Sequence, residues 1–327
     1  MTVYLSRRPE FFVGLIVLAT MALIGFINPA FWSLDNLFSL ARSNVVIGIM
    51  ALGVTMVMIS GGIDVSFPAF GVAAMYLTVR WMVATNYSGV VAPFVAATLI
   101  GLALGAFNAF CIRAFQMIPL IVTLGTASVV RGLLLGVVGT SVVNIDRMPQ
   151  SLIDFGRSQV VGLQHPDGSQ YGLTAMALIY VALAIVVHLV LTYTMVGRSI
   201  FAFGGAAEAA KRVGFDTRKT VFFVYCAAGA LAGFAGLLHA SMIWLANPRD
   251  FVGMELDVIA AVVLGGASIF GGKGSVLGTM LGVFMLVMIK NSLIILHIDS
   301  TWQQFAVGVV IVAATALTAW RDRRRDA

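Results

Sequence analysis

Ionisable and hydroxyl side chains are scarce in this sequence, so those that interrupt its long apolar runs are the first candidates for chemistry. Arg131 stands in the run 119–132, PLIVTLGTASVVRG, together with Thr123, Thr126 and Ser128. If that run lies in a bilayer, a central Arg costs roughly 2.5–3.5 kcal/mol on insertion scales and needs a reason to be there. Thr123 and Thr126, at spacing three, share a helix face. That face either lines a path for a polar, uncharged solute or is closed by each hydroxyl bonding its own helix backbone. Lys290 and Asn291, near the end of another run, either line such a path or, for the lysine, snorkel to the interface.

Two acidic stretches resemble each other. One is Ser60-Gly61-Gly62-Ile63-Asp64-Val65-Ser66, the other Gly253-Met254-Glu255-Leu256-Asp257-Val258. Each has glycine and then an aliphatic-Asp-Val triplet just before an apolar run. An Asp there accepts free N–H groups at a helix start and complements the dipole. Helix capping is the simpler role for Asp64, Ser66, Glu255 and Asp257, and contact with a solute the bolder one.

Other chemistry is missing from the sequence. The stretch nearest a phosphate-binding loop, 265–274, has Ala267 where glycine is needed and Gly274 where Ser or Thr is needed. The four histidines show no metal-ligand spacing, and no Gly-x-Ser-x-Gly elbow is present. Cys111 and Cys226 read as buried apolar residues. Catalytic residues, a resident metal and a bound cofactor are therefore not expected, and uphill work would need energy from a partner or an ion.

The elements that must position these residues are membrane helices. The chain has 327 residues, 60% hydrophobic and only 10% charged, which excludes a soluble enzyme, a disordered chain and a disulfide scaffold. Apolar runs near 12–30, 44–60, 66–83, 89–112, 118–139, 173–195, 220–243, 257–271, 276–296 and 302–320 have about the length of a bilayer crossing. The expected fold is all-α and polytopic, with about ten transmembrane helices forming one domain over 1–327. The likeness of the two acidic stretches suggests five helices plus five in inverted repeat. The first run follows Arg7 and Arg8 and reads as a retained helix.

With the N-terminus inside, alternation puts most cations on the inner side: Arg7 and Arg8, Arg113, the group Arg198–Lys219, Lys273 and the C-terminal arginines. Arg42, Arg80, Arg147, Arg157 and Arg249 fall outside. This bias predicts both termini in the cytoplasm. It also accounts for the net charge of +6 without nucleic acid. Residues 140–172 read as a long polar external loop. Glycine pairs at spacing four, Gly101/Gly105, Gly132/Gly136, Gly229/Gly233 and Gly278/Gly282, read as close helix packing.

The longest internal loop carries a helix-prone stretch, Ala206–Arg212, bounded by Gly204 and Gly205 before it and Gly214 after it. A solvated connector has no need of a helix delimited by glycines, so a docking element for a partner is favoured.

Four stretches resemble a known family: Ser60–Ser66 (SGGIDVS), Pro119–Gly132, Gly204–Gly214 (GGAAEAAKRVG) and Glu255–Gly282. Across nearly its whole length the chain resembles the permease subunit of bacterial ABC importers for monosaccharides, the ribose-type branch. The resemblance implies a second permease subunit, identical or paralogous, and a cytoplasmic ATPase that binds ATP and Mg in place of this chain. It also implies a periplasmic solute-binding protein and an inner-membrane location. The ATPase-contacting segment of the family matches Gly204, Gly205, Glu208, Ala209, Ala210 and Gly214. Candidates for the translocation path remain Asp64, Ser66, Thr123, Thr126, Arg131, Glu255, Asp257 and Asn291. Two departures stand out. Phe67-Pro68-Ala69 follow Ser66 where the family has a small residue or Pro and then Gly, which leaves the solute open. Ala206 replaces a frequent Asn, which bears on the choice of ATPase. Relatives carry autoinducer-2, nucleosides or branched-chain amino acids, and these remain alternatives. An ion-coupled secondary transporter would have to rely on Asp64, Glu255 and Asp257.

Overall fold

The computed structural model describes residues 9–164 and 170–295, with residues 302, 305, 308, 309 and 312 beyond them. The chain runs α1 (Pro9–Ile27), α2 (Leu34–Ile59), α3 (Phe67–Thr85), α4 (Val91–Ala114), α5 (Pro119–Leu133), α6 (Gln150–Arg157), β1 (Gln159–Gln164) and β2 (Gln170–Thr174). It continues through α7 (Ala175–Tyr193), α8 (Met195–Gly205), α9 (Ala207–Arg212), α10 (Thr217–Ile243), α11 (Met254–Leu264) and α12 (Val276–Ile295). A π-helical turn, Leu134–Val138, prolongs α5. Among the described residues, eight helices are long and apolar enough to cross a membrane: α1, α2, α3, α4, α5 with its π turn, α7, α10 and α12. Helices suit this solvent because they satisfy their backbone polar groups internally.

Two expectations change, and a third lies outside the described residues. The span at 257–271 is not one crossing: α11 ends at Leu264 after 11 residues, roughly 16 Å of helix, and a glycine-rich turn follows. The span at 302–320 lies outside the described residues apart from isolated positions, so neither ten spans nor the full repeat is read from the structure. The external loop 140–172 is not plain loop. It holds α6 and an antiparallel hairpin, β1 on β2, in which Leu163 faces Tyr171. β2 rests on α2, and Val143 pairs with Ala246 across the same end of the bundle. Cys111 and Cys226 are free and half-buried.

Two helices form the centre. In α2, 83% of the apolar window is buried, against 11% in α1, which faces outward. α10 packs on α4, α3 and α2, while α12 packs on α2 and α11. α4 thus lies on α10 as α12 lies on α2, and α3 leans on α10 as α11 leans on α2.

The glycine pairs explain how closely these helices approach. A β-carbon on Gly101 would stand 2.1 Å from the Gly229 carbonyl oxygen, and one on Gly229 would stand 2.2 Å from that of Gly101. The two small-residue faces of α4 and α10 therefore meet backbone to backbone. Gly278 and Gly282 do the same against Gly265 and Ala261, at 2.1 and 2.0 Å. Gly132 and Gly136, by contrast, have nothing within 4 Å.

These distances predict opposite outcomes for one substitution at two sites. Gly229→Leu should destabilise the purified protein by about 1–3 kcal/mol or prevent its folding, because neither backbone can give way. Gly132→Leu should leave the thermal melting temperature in detergent unchanged. Equal effects of the two would contradict the packing.

Candidate translocation and coupling sites

The first site forms where α2 ends. Its last four carbonyls lack intrahelical partners, and all four are satisfied. Met56 O accepts from Ser60 N–H (3.1 Å), Val57 O from Gly62 N–H (3.0 Å), Met58 O from Gly61 N–H (2.9 Å) and Ile59 O from Gly272 N–H (2.8 Å). The first three bonds turn the chain through Gly61 at φ +79, a conformation that glycine adopts freely.

Residues 62–66 then run without regular secondary structure, with Gly62, Asp64 and Ser66 buried. Their backbone has no helix to satisfy it, and side chains do so instead. Asp64, 2% exposed, accepts on Oδ1 from both the N–H (2.7 Å) and the Oγ–H (2.6 Å) of Ser66. Thr123 on α5 stands beside the same segment, with Val65 N–H donating to its Oγ1 at 3.3 Å and its hydroxyl near Ile63 O at 3.4 Å. Asn108 on α4 donates to Ser66 Oγ at 2.8 Å. Thr126 turns back to Thr123 O at 3.2 Å and Ser128 to Leu124 O at 3.0 Å, so these hydroxyls bond their own helix. Asp64, Ser66 and Thr123 are thus brought together, with Thr126 one turn along α5 from Thr123. Asn108 and Tyr225 were missed by the sequence reading, although an Asn inside an apolar run was a visible signal. Both are buried, and Asn108 Oδ1 and the Tyr225 hydroxyl have no hydrogen-bond partner.

A second site lies on the same face of the bundle. Gly204 and Gly205 end α8, Ala206 is extended, and α9 begins at Ala207. Ala210 is buried, whereas Glu208, Ala209, Lys211 and Arg212 are exposed. Gly214, at φ +90, turns the chain out of α9, and Phe215 N–H closes the turn on Ala210 O. Asp216 then caps α10 by accepting from Arg218 and Lys219 N–H at 3.0 and 3.1 Å. The Lys219 backbone bond is the main reason that its carboxyl titrates below the usual range. This cap is complete at neutral pH and is lost only on acidification through that lowered value.

Three loops distant in sequence meet here. A β-carbon on Gly204 would lie 1.8 Å from Ile59 O, and one on Gly271 would lie 2.6 Å from Gly204 O and 2.8 Å from Gly61 Cα. The Gly61-Gly62, Gly204-Gly205 and Gly271-Gly272 pairs therefore stack without intervening side chains. Beside them opens a cavity of about 570 Å³, bordered by Ser60, Arg113, Gln116, Gly205, Tyr225 and Phe270.

The remaining candidates lie elsewhere. Arg131 reaches Phe251 O at 3.3 Å, and Arg42 donates to Met242 O at the end of α10. Asp257 is in the first turn of α11 without a capping bond and pairs with Lys290 of α12 at 2.5 Å. Lys290 is thus held by an acid. Asn291 donates to Asn36 Oδ1 at 2.8 Å, and Asn36 in turn donates to Phe31 O at 2.8 Å. Glu255 has a buried, unpartnered Oε2.

Comparison with known proteins fits this arrangement. A family model described as branched-chain amino acid transport system / permease component matches residues 36–315. The chain belongs to this family. Among similar permeases, a ribose import permease of Haemophilus influenzae is 32% identical over 309 residues, covering 93% of this chain and 90% of the relative. A ribose import permease of Bacillus subtilis is 33% identical, covering 97% and 92%. An autoinducer 2 import system permease of Yersinia pseudotuberculosis is 30% identical, covering 94% and 84%. No solved structure matches. The chain is a polytopic transport component and not an enzyme.

The Asp64 bonds yield a test of this permease. Asp64→Ala strands the buried Ser66 N–H and should cost about 1–3 kcal/mol. Asp64→Asn keeps an oxygen acceptor and should cost less. Melting temperatures in detergent, compared between the two, would refute this role if Asn and Ala were equally damaging.

Proposed function

We propose that this permease carries a monosaccharide or a related polar solute through the inner membrane as part of an ATP-driven importer. Its partners are a second permease subunit, identical or paralogous, a cytoplasmic ATPase and a periplasmic solute-binding protein. The observation that carries the reading is the backbone contact of Gly204 with Ile59 O, which joins the α8–α9 segment to the Asp64 loop. On this reading the ATPase docks on Gly204, Gly205, Glu208, Ala209, Ala210 and Gly214. Its closure shifts the end of α2 and the irregular segment that bears Asp64 and Ser66. The face with α9, Arg113 and Lys273 is cytoplasmic, in keeping with its excess of cations, and both termini lie on that side. The matched packing of α4 on α10 and α12 on α2 supports an inverted repeat about the centre of the bundle.

The sugar class draws on the ribose import permeases among the relatives. Autoinducer 2 is the second reading, favoured by the Yersinia relative. Arg131, Glu255, Asp257 and Asn291 stay candidates for the outer part of the path.

The test is copurification of the tagged chain from its native membrane after crosslinking, followed by uptake of labelled solutes. We expect a Walker-motif ATPase to copurify and Glu208→Lys to abolish both its recovery and uptake. Ribose is the first solute to try and autoinducer 2 the second. Uptake that follows an ion gradient with no ATPase present would overturn the reading.

A further inference from the structure

In the α11–α12 turn Phe270 is 91% exposed, the largest exposure among the large apolar side chains of the described residues. Its turn is stiff. Phe270 N–H donates to Ser268 Oγ (3.2 Å), Gly271 N–H to Ser268 O (3.2 Å) and Ser268 N–H to Lys273 O (3.0 Å), while Gly272 N–H is held by Ile59 O (2.8 Å). The ring is therefore held out on a braced backbone.

Its surroundings are not those of a lipid-facing residue. Phe270 borders the same cavity as Arg113 and Gln116 and lies three residues before the exposed Lys273. The glycines after it stack on Gly204 and Gly205, immediately before α9, and it borders the same cavity as they do. A fully exposed aromatic ring in water forgoes its burial energy, and such a ring beside a docking segment is the usual form of an interface anchor.

We propose that Phe270 is a second contact of the ATPase-docking surface, inserting its ring into an apolar recess of the ATPase rimmed by acidic groups. This rests on the docking reading given above and extends it from one loop to two. The occupant is the ATPase because the turn is continuous with the α8–α9 segment through backbone contacts, and because Arg113 on the shared cavity and the nearby Lys273 call for an acidic rim. α9 and Phe270 then grip the partner from two sides of the cavity, and the glycine stack fixes the spacing between them.

The experiment uses the full chain in lipid nanodiscs and the ATPase that copurifies with it, produced separately, with binding followed by interferometry. Phe270→Ser should weaken binding by at least about tenfold, and Phe270→Trp should retain most of it. Phe26→Ser, which removes an equally exposed ring (88%) from α1, should change nothing. The Phe270 side chain supports little within the fold, so melting temperatures should not move. If Phe270→Ser binds within about twofold of the unaltered chain while Glu208→Lys does not bind, the Phe270 contact is overturned and the docking reading survives. If neither variant weakens binding, both fall. If Phe270→Ser instead separates the permease pair while each permease still binds ATPase, the ring belongs to a permease–permease contact and the proposal is overturned.

Discussion

The permease is built around the end of α2, where three loops pack too closely for side chains to intervene. α2 is the most buried of its membrane-length helices, and it ends where three loops converge. Each of its last four carbonyls needs a donor. Three donors come from the turn that follows, and the fourth, for Ile59, comes from Gly272, more than two hundred residues away in sequence. That bond requires the 268–274 turn to lie against α2. Gly204 also packs directly on the Ile59 carbonyl, where no side chain could fit. The irregular segment 62–66 can follow only because Asp64 and Thr123 supply hydrogen bonds that a helix would have supplied.

Much of this was legible from sequence, and the limits have physical causes. Long apolar runs reported membrane helices faithfully, because length and hydropathy are what a bilayer selects. The glycines bounding α9 marked its ends, since Gly214 indeed takes a positive φ. The α11 run misled because its residues are apolar beyond Leu264, yet Gly265, Gly266, Gly271 and Gly272 turn the chain there. Apolar content records burial and does not distinguish a crossing helix from a buried turn. The hairpin at 159–174 was hidden because its strands are short and carry Gly162 and Gly172 within them. Type and spacing singled out Asp64, Ser66 and Thr123, which the structure joins through hydrogen bonds along 63–66. Asn108, which bonds Ser66, and the unpartnered Tyr225 lie on other helices, and no local pattern links them to the loop. The meeting of the three glycine pairs is tertiary in the same sense.

The four glycine pairs at spacing four share one sequence pattern and yet divide into two groups in space. Gly101/Gly105 with Gly229/Gly233, and Gly278/Gly282 with Ala261 and Gly265, are used up within the chain. Gly132 on α5 and Gly136 on its π turn lie in an apolar window only 22% buried and have nothing within 4 Å. The motif reports that close approach is permitted. Which partner makes the approach is decided by the helix on the other side.

Backbone-to-backbone contact also determines how movement can pass through the molecule. Side chains at an interface can change rotamer and absorb a displacement, whereas stacked glycines have no such freedom. A shift of the α8–α9 segment must therefore carry the end of α2 and the 271–272 turn with it, or break the contact altogether. The segment is anchored at its far end as well, since Thr220 donates to Ser199 at 3.1 Å and so joins α8 to α10. Movement entering at α9 thus reaches both central helices, α2 through glycine and α10 through a hydroxyl pair. Asp64 and Ser66 lie only a few residues beyond the α2 end of that linkage, held by side-chain bonds to each other, to α4 and to α5. Those bonds, and not the rigid glycine stack, are the part of the arrangement able to exchange partners. A conformational change driven from α9 would be expressed there first.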